Sequence, residues 1–165
     1  MGAPGERDIW EVGGTYGCGG NQGTEREEVV EEFTIDSSII VASLLAQEKE
    51  HSRALRVWGE ILTGKAMAIM PYIVLVEVVA AVRRRTGDKE LALKVKKELL
   101  SLDTVNFTIV DPEAAWEASD IAIQTGMRGM DAIVVQTAKE YGTSLVTLDN
   151  EIISKATGIV KIKEF

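Results

Sequence analysis

The chain has one cysteine, Cys18, and one histidine, His51. A lone cysteine excludes an internal disulfide and any cysteine-based zinc site. The lone histidine has no nearby cysteine and no second histidine to share a metal with, so it reads as a surface residue. No apolar run reaches the roughly 18 to 20 residues that a membrane-spanning helix needs. The N-terminus carries no apolar signal-peptide core, which points to a cytoplasmic protein. Positive charge is also short: 18 Lys and Arg face 26 Asp and Glu, a formal net of −8.

That deficit is unevenly placed. Residues 1–32 hold eight acids against Arg7 and Arg26, a net of −6, which leaves −2 to the rest. A near-neutral body with clustered arginines can still meet a phosphate backbone, above all if metal ions supply positive charge. The overall charge therefore does not exclude nucleic acid. With 165 residues, 45% of them hydrophobic and 27% charged, the chain suits one soluble domain that needs no staples. Residues 1–28 contain eight of the fifteen glycines and end in an acidic run. Such a composition does not offset the entropy of ordering, so a flexible extension is expected there and a folded domain over 29–165.

The stretch Met130 to Asp149 sets the architecture. Ile133, Val134, Thr137 and Ala138 share a helical face, Gly142 stands where a helix ends left-handed, and Ser144 to Leu148 is a short β-rich run. A helix joined to a strand by so short a link is half of an α/β unit. Earlier in the chain, Phe33–Ile35 predicts a first strand and Ser37–Leu45 a helix. An amphipathic helix follows over Glu48–Leu62, then a strand over Ala66–Met70. Tyr72–Val82 is rich in β-branched residues, but Pro71 at its start and Arg83, Arg84 and Arg85 at its end argue for a helix. Lys89–Leu100 is a further amphipathic helix and Val105–Val110 a third strand. Asp111 and Pro112 open the next helix as cap and first residue, and Gly126 ends it. A short helix through Ala156 and an edge strand Ile159–Ile162 complete the order β-α-α-β-α-α-β-α-α-β-α-β. The expectation is an α/β fold with a central, mostly parallel sheet of four to five strands flanked by helices. Right-handed crossovers allow the first and fourth strands to lie side by side at its centre.

Four acids are misplaced for pure structure: Asp36 ends a strand, Glu77 interrupts an apolar helix, Asp131 opens a helix and Asp149 ends the fourth strand. Asp36 also suits an N-cap, although Ser37 and Ser38 could cap as well. Burying Glu77 among valines is costly unless an arginine or a cation accompanies it. In such sheets chemistry collects at the carboxyl ends of the strands, where Asp36 and Asp149 stand. Carboxylates sharing a crevice repel and raise one another's pKa, and a divalent cation removes the conflict. Ligation by oxygen alone points to Mg²⁺ or Mn²⁺ before Zn²⁺. Such a site binds phosphoryl oxygens and activates water.

The segments Thr-Ile-Asp36-Ser-Ser-Ile, Val-Glu77-Val, Met-Asp131-Ala-Ile-Val-Val-Gln-Thr-Ala and Leu-Val-Thr147-Leu-Asp149-Asn resemble, in that order, those of PIN-domain nucleases, most closely the VapC-type toxins. The resemblance runs across residues 33–163. It implies the PIN fold, metal-dependent RNA cleavage leaving 5′-phosphate and 3′-hydroxyl ends, and inhibition by a small antitoxin. Position by position, it implies that Asp36, Asp131 and Asp149 are metal ligands and that Glu77 ligates weakly or holds water. Thr147 would orient a ligand, with Ser37 and Asn150 as accessory polar groups. Apart from the resemblance, the cluster Arg83, Arg84 and Arg85 could hold flanking RNA phosphates or be a solvated helix tip that complements the dipole. Family members pair as dimers, for which Leu44-Leu45 or the 88–100 helix offers a surface. Ile152 stands where a phenylalanine is common, and the N-terminal extension is longer than such toxins carry. Two other readings remain: an RNA-processing nuclease without a toxin role, and an inactive RNA- or protein-binding module. A phosphohydrolase forming an aspartyl-phosphate at Asp36 is discounted, because it needs an aspartate two residues later, where Ser38 stands.

Overall fold

Asp36 stands where a buried strand gives way to a helix, and the fold is the means of producing several such junctions at one edge. The computed structural model describes residues 30–165, so the extension expected at 1–28 lies outside the described residues. The order is β1 (Glu31–Ile35), α1 (Ser37–Leu44), α2 (His51–Leu62), β2 (Ala66–Pro71), α3 (Tyr72–Thr86), α4 (Lys89–Ser101), β3 (Val105–Thr108), α5 (Pro112–Thr125), α6 (Gly129–Glu140), β4 (Ser144–Val146) and α7 (Asn150–Ala156). The four strands form one parallel sheet in the order β3-β2-β1-β4. Helices cover it, as parallel strands require.

The sheet departs from the sequence reading in two ways. β1 and β4 are neighbours as expected, with Ile35 opposite Val146, but β4 lies at the edge and not at the centre. The fifth strand expected at Ile159–Ile162 reduces to isolated bridges, Leu145 with Ile162 and Thr157 with Val160. Leu145 gives and takes one backbone hydrogen bond on this side, from its N–H to the Lys161 carbonyl and to its carbonyl from the Lys163 N–H. A three-residue partner strand leaves no room for a longer ladder.

β4 is short because its chain turns from backbone pairing to side-chain pairing. After Val146, the Leu148 N–H donates to Ser38 Oγ and the Asp149 N–H to Thr147 Oγ1, each at 3.0 Å. The helix boundaries follow local chemistry. Asp111 Oδ1 accepts from the Ala114 N–H at 2.8 Å and Pro112 fills the first turn of α5. α6 ends through Gly142, whose φ of 64° favours glycine. α3 is helical throughout despite its valines, because length and packing on the sheet override a modest β preference.

Phe33, Ile35, Trp58, Met70, Leu145 and Ile152 are fully buried in one continuous core. Each such side chain contributes roughly 1.5–3 kcal/mol by leaving water. Leu45 is buried and Leu44 packs against the core. The pair therefore does not offer the exposed dimer surface expected of it. Leu93 and Leu100 on α4 are exposed. His51 is half-buried, with Nδ1 2.8 Å from the Ala42 carbonyl oxygen, so it is a tied packing residue and not a free surface group. No helix among the described residues is long and apolar enough to cross a membrane.

Candidate functional site

At the carboxyl end of β1, Asp36 serves as N-cap of α1 and is 5% exposed. Its Oδ2 accepts three hydrogen bonds: from the Ser38 N–H at 3.2 Å, from Ser38 Oγ at 2.6 Å and from Thr147 Oγ1 at 2.9 Å. Three donors thus hold that one oxygen in place. Oδ1 takes none of these bonds and is left for another partner.

Asp149, two residues past Thr147 and half-buried, is the N-cap of α7, with Oδ1 accepting from the Glu151 N–H at 2.7 Å. Thr147, only 2% exposed, joins the two strand-end acids. Its hydroxyl donates to Asp36 and accepts from the Asp149 N–H. Ser38 forms a second link, donating to Asp36 and accepting from the Leu148 N–H.

The other two acids come from helices. Glu77 faces inward from α3, half-buried, with its pKa raised first by burial and then by the charge of Asp36. A hydrogen bond from the Ser37 side chain opposes the shift, the charge of Asp131 adds to it, and Arg84 opposes it. Asp131 lies in the first turn of α6. Its pKa is raised by burial, then by Asp36 and Asp149, against the attraction of Arg128. Each helix acid thus feels the charge of at least one strand-end acid. The four carboxylates share one electrostatic neighbourhood.

Asp131 Oδ2 is buried and has no hydrogen-bond partner. A carboxylate oxygen removed from water without a donor is costly, and the compensation it lacks is positive charge. This orphaned atom, in an all-oxygen donor set under mutual repulsion, fits a hard divalent cation. Among the described residues no three such groups are yet drawn together around a point that would hold an ion. The fit is therefore one of chemistry and charge.

An open cleft of about 670 Å³ adjoins this centre. Glu77 reaches its wall, and so do Ser37 and Ser38 after Asp36, Met130 before Asp131 and Leu148 before Asp149. Arg84, Arg85 and Arg128 line it as well. The arginine cluster expected to act together is divided: Arg83 is exposed but is no part of the cleft wall, and Arg85 is paired with Glu48. Asn150 is exposed in the first turn of α7, away from the wall. Two further residues at the site carry little signal in the sequence. Ser38 reads as one more helix-start serine, and only the fold brings Leu148 and Thr147 against it. Arg128 carries no sequence signal beyond standing three residues before Asp131.

The PIN domain family matches residues 33–158. No curated protein sequence matches the chain. Among solved structures, that of VapC20 from Mycobacterium tuberculosis, a Sarcin-Ricin loop cleaving toxin, superposes with a TM-score of 0.67 at 20% identity, covering 81% of this chain and all of that one. VapBC2 from Rickettsia felis, bound to a DNA fragment from their promoter, gives 0.60 at 14% identity, with 81% and 98% covered. A toxin–antitoxin complex from Klebsiella pneumoniae gives 0.53 at 18% identity, with 75% and 90% covered. At these identities what is shared is the fold.

Proposed function

The chain belongs to the PIN-domain family, and from that premise we propose that it is a metal-dependent endoribonuclease, the toxin of a toxin–antitoxin pair. The folded unit is residues 29–165, acting in the cytoplasm as a dimer or larger homo-oligomer. The observation that carries the reading is the neighbourhood of four carboxylates, two raised in pKa and one with a buried oxygen lacking any partner. Neutral partners would be a simpler way to fill such positions, so a cation explains why the charges are there.

Asp36, Asp131 and Asp149 would hold Mg²⁺ or Mn²⁺, with Glu77 as a weaker ligand or a holder of water. When bound, the ion would supply Lewis-acid polarisation of a phosphate and lower the pKa of water. Thr147 and Ser38 fix Asp36 by occupying Oδ2, so that Oδ1 faces its partner without searching. Glu77, with a raised proton affinity, accepts the proton of the attacking water. In-line attack would form the new P–O bond and break the P–O3′ bond, and the departing 3′ oxygen would take a proton from solvent, leaving 5′-phosphate and 3′-hydroxyl ends.

The toxin assignment draws on the toxins and the toxin–antitoxin complex among the similar structures. A small antitoxin presenting a cationic side chain would find the same unsatisfied carboxylates that a metal does. The test is cleavage of end-labelled single-stranded RNA with Mn²⁺, with Mg²⁺ and with EDTA, beside Asp131→Asn. Metal-dependent cutting that the substitution abolishes is the expected result. Intact RNA under every condition, from folded protein, would overturn the nuclease reading and favour a binding module.

A further inference from the structure

The three consecutive arginines at the end of α3 have different circumstances, and a fourth arginine from elsewhere in the chain stands in the same cleft. Arg85 is already engaged by Glu48. Arg83 lies outside the cleft wall. Arg84 and Arg128 both line the cleft, and neither has an ion pair among the described residues. Both are exposed, so holding them there costs little desolvation.

Their positions relative to the acids are complementary. Arg84 follows Glu77 by seven residues on α3, which places it two turns, about 10 Å, farther along one helix face. Its charge is felt at Glu77. Arg128 is the N-cap residue of α6, three residues before Asp131, and its charge is felt there. The two cations thus approach the acidic centre from different helices. A polyanion laid in the cleft would meet Glu77 and two guanidinium groups that have no ion pair among the described residues, one from α3 and one from the start of α6. Guanidinium groups bind phosphate oxygens in a forked geometry that lysine lacks.

Resting on the ribonuclease reading above, we propose that Arg84 and Arg128 form a two-point clamp for the backbone phosphates on either side of the scissile bond. The clamp reads no bases, because phosphate contacts carry no sequence information. Its purpose is to fix which phosphate lies over the acids, so it sets the register of the strand. Arg83 has no part in it, and Arg85 contributes only to the extent that its pairing with Glu48 loosens.

The test is fluorescence-anisotropy binding of labelled 12-nucleotide oligo(U) and oligo(A) over a salt series in Ca²⁺, with RNA integrity checked by gel. It compares the unsubstituted protein with Arg84→Gln, Arg128→Gln and Arg83→Gln. For single strands each lost phosphate contact lowers the slope of log affinity against log salt by about 0.7. Arg84→Gln and Arg128→Gln are each expected to lower it by that amount, equally for both RNAs, while Arg83→Gln leaves it unchanged. In metal-dependent cleavage the same two substitutions raise KM more than they lower kcat. Slopes unchanged by Arg84→Gln and Arg128→Gln, or lowered equally by Arg83→Gln, would overturn the clamp and leave the nuclease assignment standing. Failure of the unsubstituted protein to bind either RNA would overturn both.

Discussion

The four acids fall into two pairs that the protein treats differently. Asp36 and Asp149 leave strands and begin helices, and each repays its burial at once by capping one. Asp36 takes three hydrogen bonds and Asp149 one, with Thr147 between them. Glu77 and Asp131 sit on helices, cap nothing and are pushed toward the neutral form. The strand-end pair thus has a structural use as caps that does not depend on activity. The helix pair has no structural employment, and its charge makes sense only beside a cation or a cationic partner. Function is therefore read more securely from Glu77 and Asp131 than from the acids at the centre of the hydrogen-bond network.

This contrast can be broken by substitution. The largest effect is expected from Asp131→Asn on catalysis: loss of a metal ligand should lower RNA cleavage by at least about 10³-fold, measured in single-turnover assays. Next, Asp36→Ala removes a cap and strands the buried hydroxyl of Thr147. Stability should fall by about 2–3 kcal/mol in urea titrations, with cleavage lost as well. Asp149→Ser separates the two duties of its position, because serine caps as well as aspartate. Stability should then change by less than about 0.5 kcal/mol while Mn²⁺ affinity drops, as calorimetry would show.

The smallest effect concerns pH. A carboxyl whose folded-state pKa stands above its unfolded value takes up its proton first in the folded protein. For Glu77 and Asp131, the metal-free fold therefore gains stability as pH falls from neutral toward the window just above the ordinary carboxylate range. Metal must displace those protons to bind there. The rise in Tm produced by Mn²⁺ should accordingly be smaller at pH 5 than at pH 7.5, by differential scanning fluorimetry.

Much of the fold could be read in the sequence because its punctuation is local. Pro71, Asp111-Pro112, Gly126 and Gly142 act through the backbone of their own few residues, and the elements they separate occur where expected. The sequence failed where a feature depends on a distant partner. Ile159–Ile162 has strand composition but meets a β4 of only three residues. Leu44-Leu45 resembles a surface pair until α2 packs over it. Of the candidate site, the four acids stood out because each offends a local rule. Ser38 and Arg128 offend none: Ser38 matters because Leu148, 110 residues on, donates to it, and Arg128 because it lines one cleft with Glu77 and Arg84. The division of Arg83, Arg84 and Arg85 was equally invisible, since it depends on Glu48 and on the course of the cleft.

The central claim is that Asp131 carries a charge the metal-free protein would be more stable without. The most direct measurement is the Tm of the unsubstituted protein and of Asp131→Asn, both stripped with EDTA and then titrated with Mn²⁺ at pH 7.5. The account predicts a crossing. Without metal, Asp131→Asn melts higher, by about 2 °C, a modest shift because the group is only half-buried. With saturating Mn²⁺ the unsubstituted protein melts higher. An Asp131→Asn protein that melts lower in EDTA, or that gains as much from Mn²⁺ as the unsubstituted protein, would contradict it.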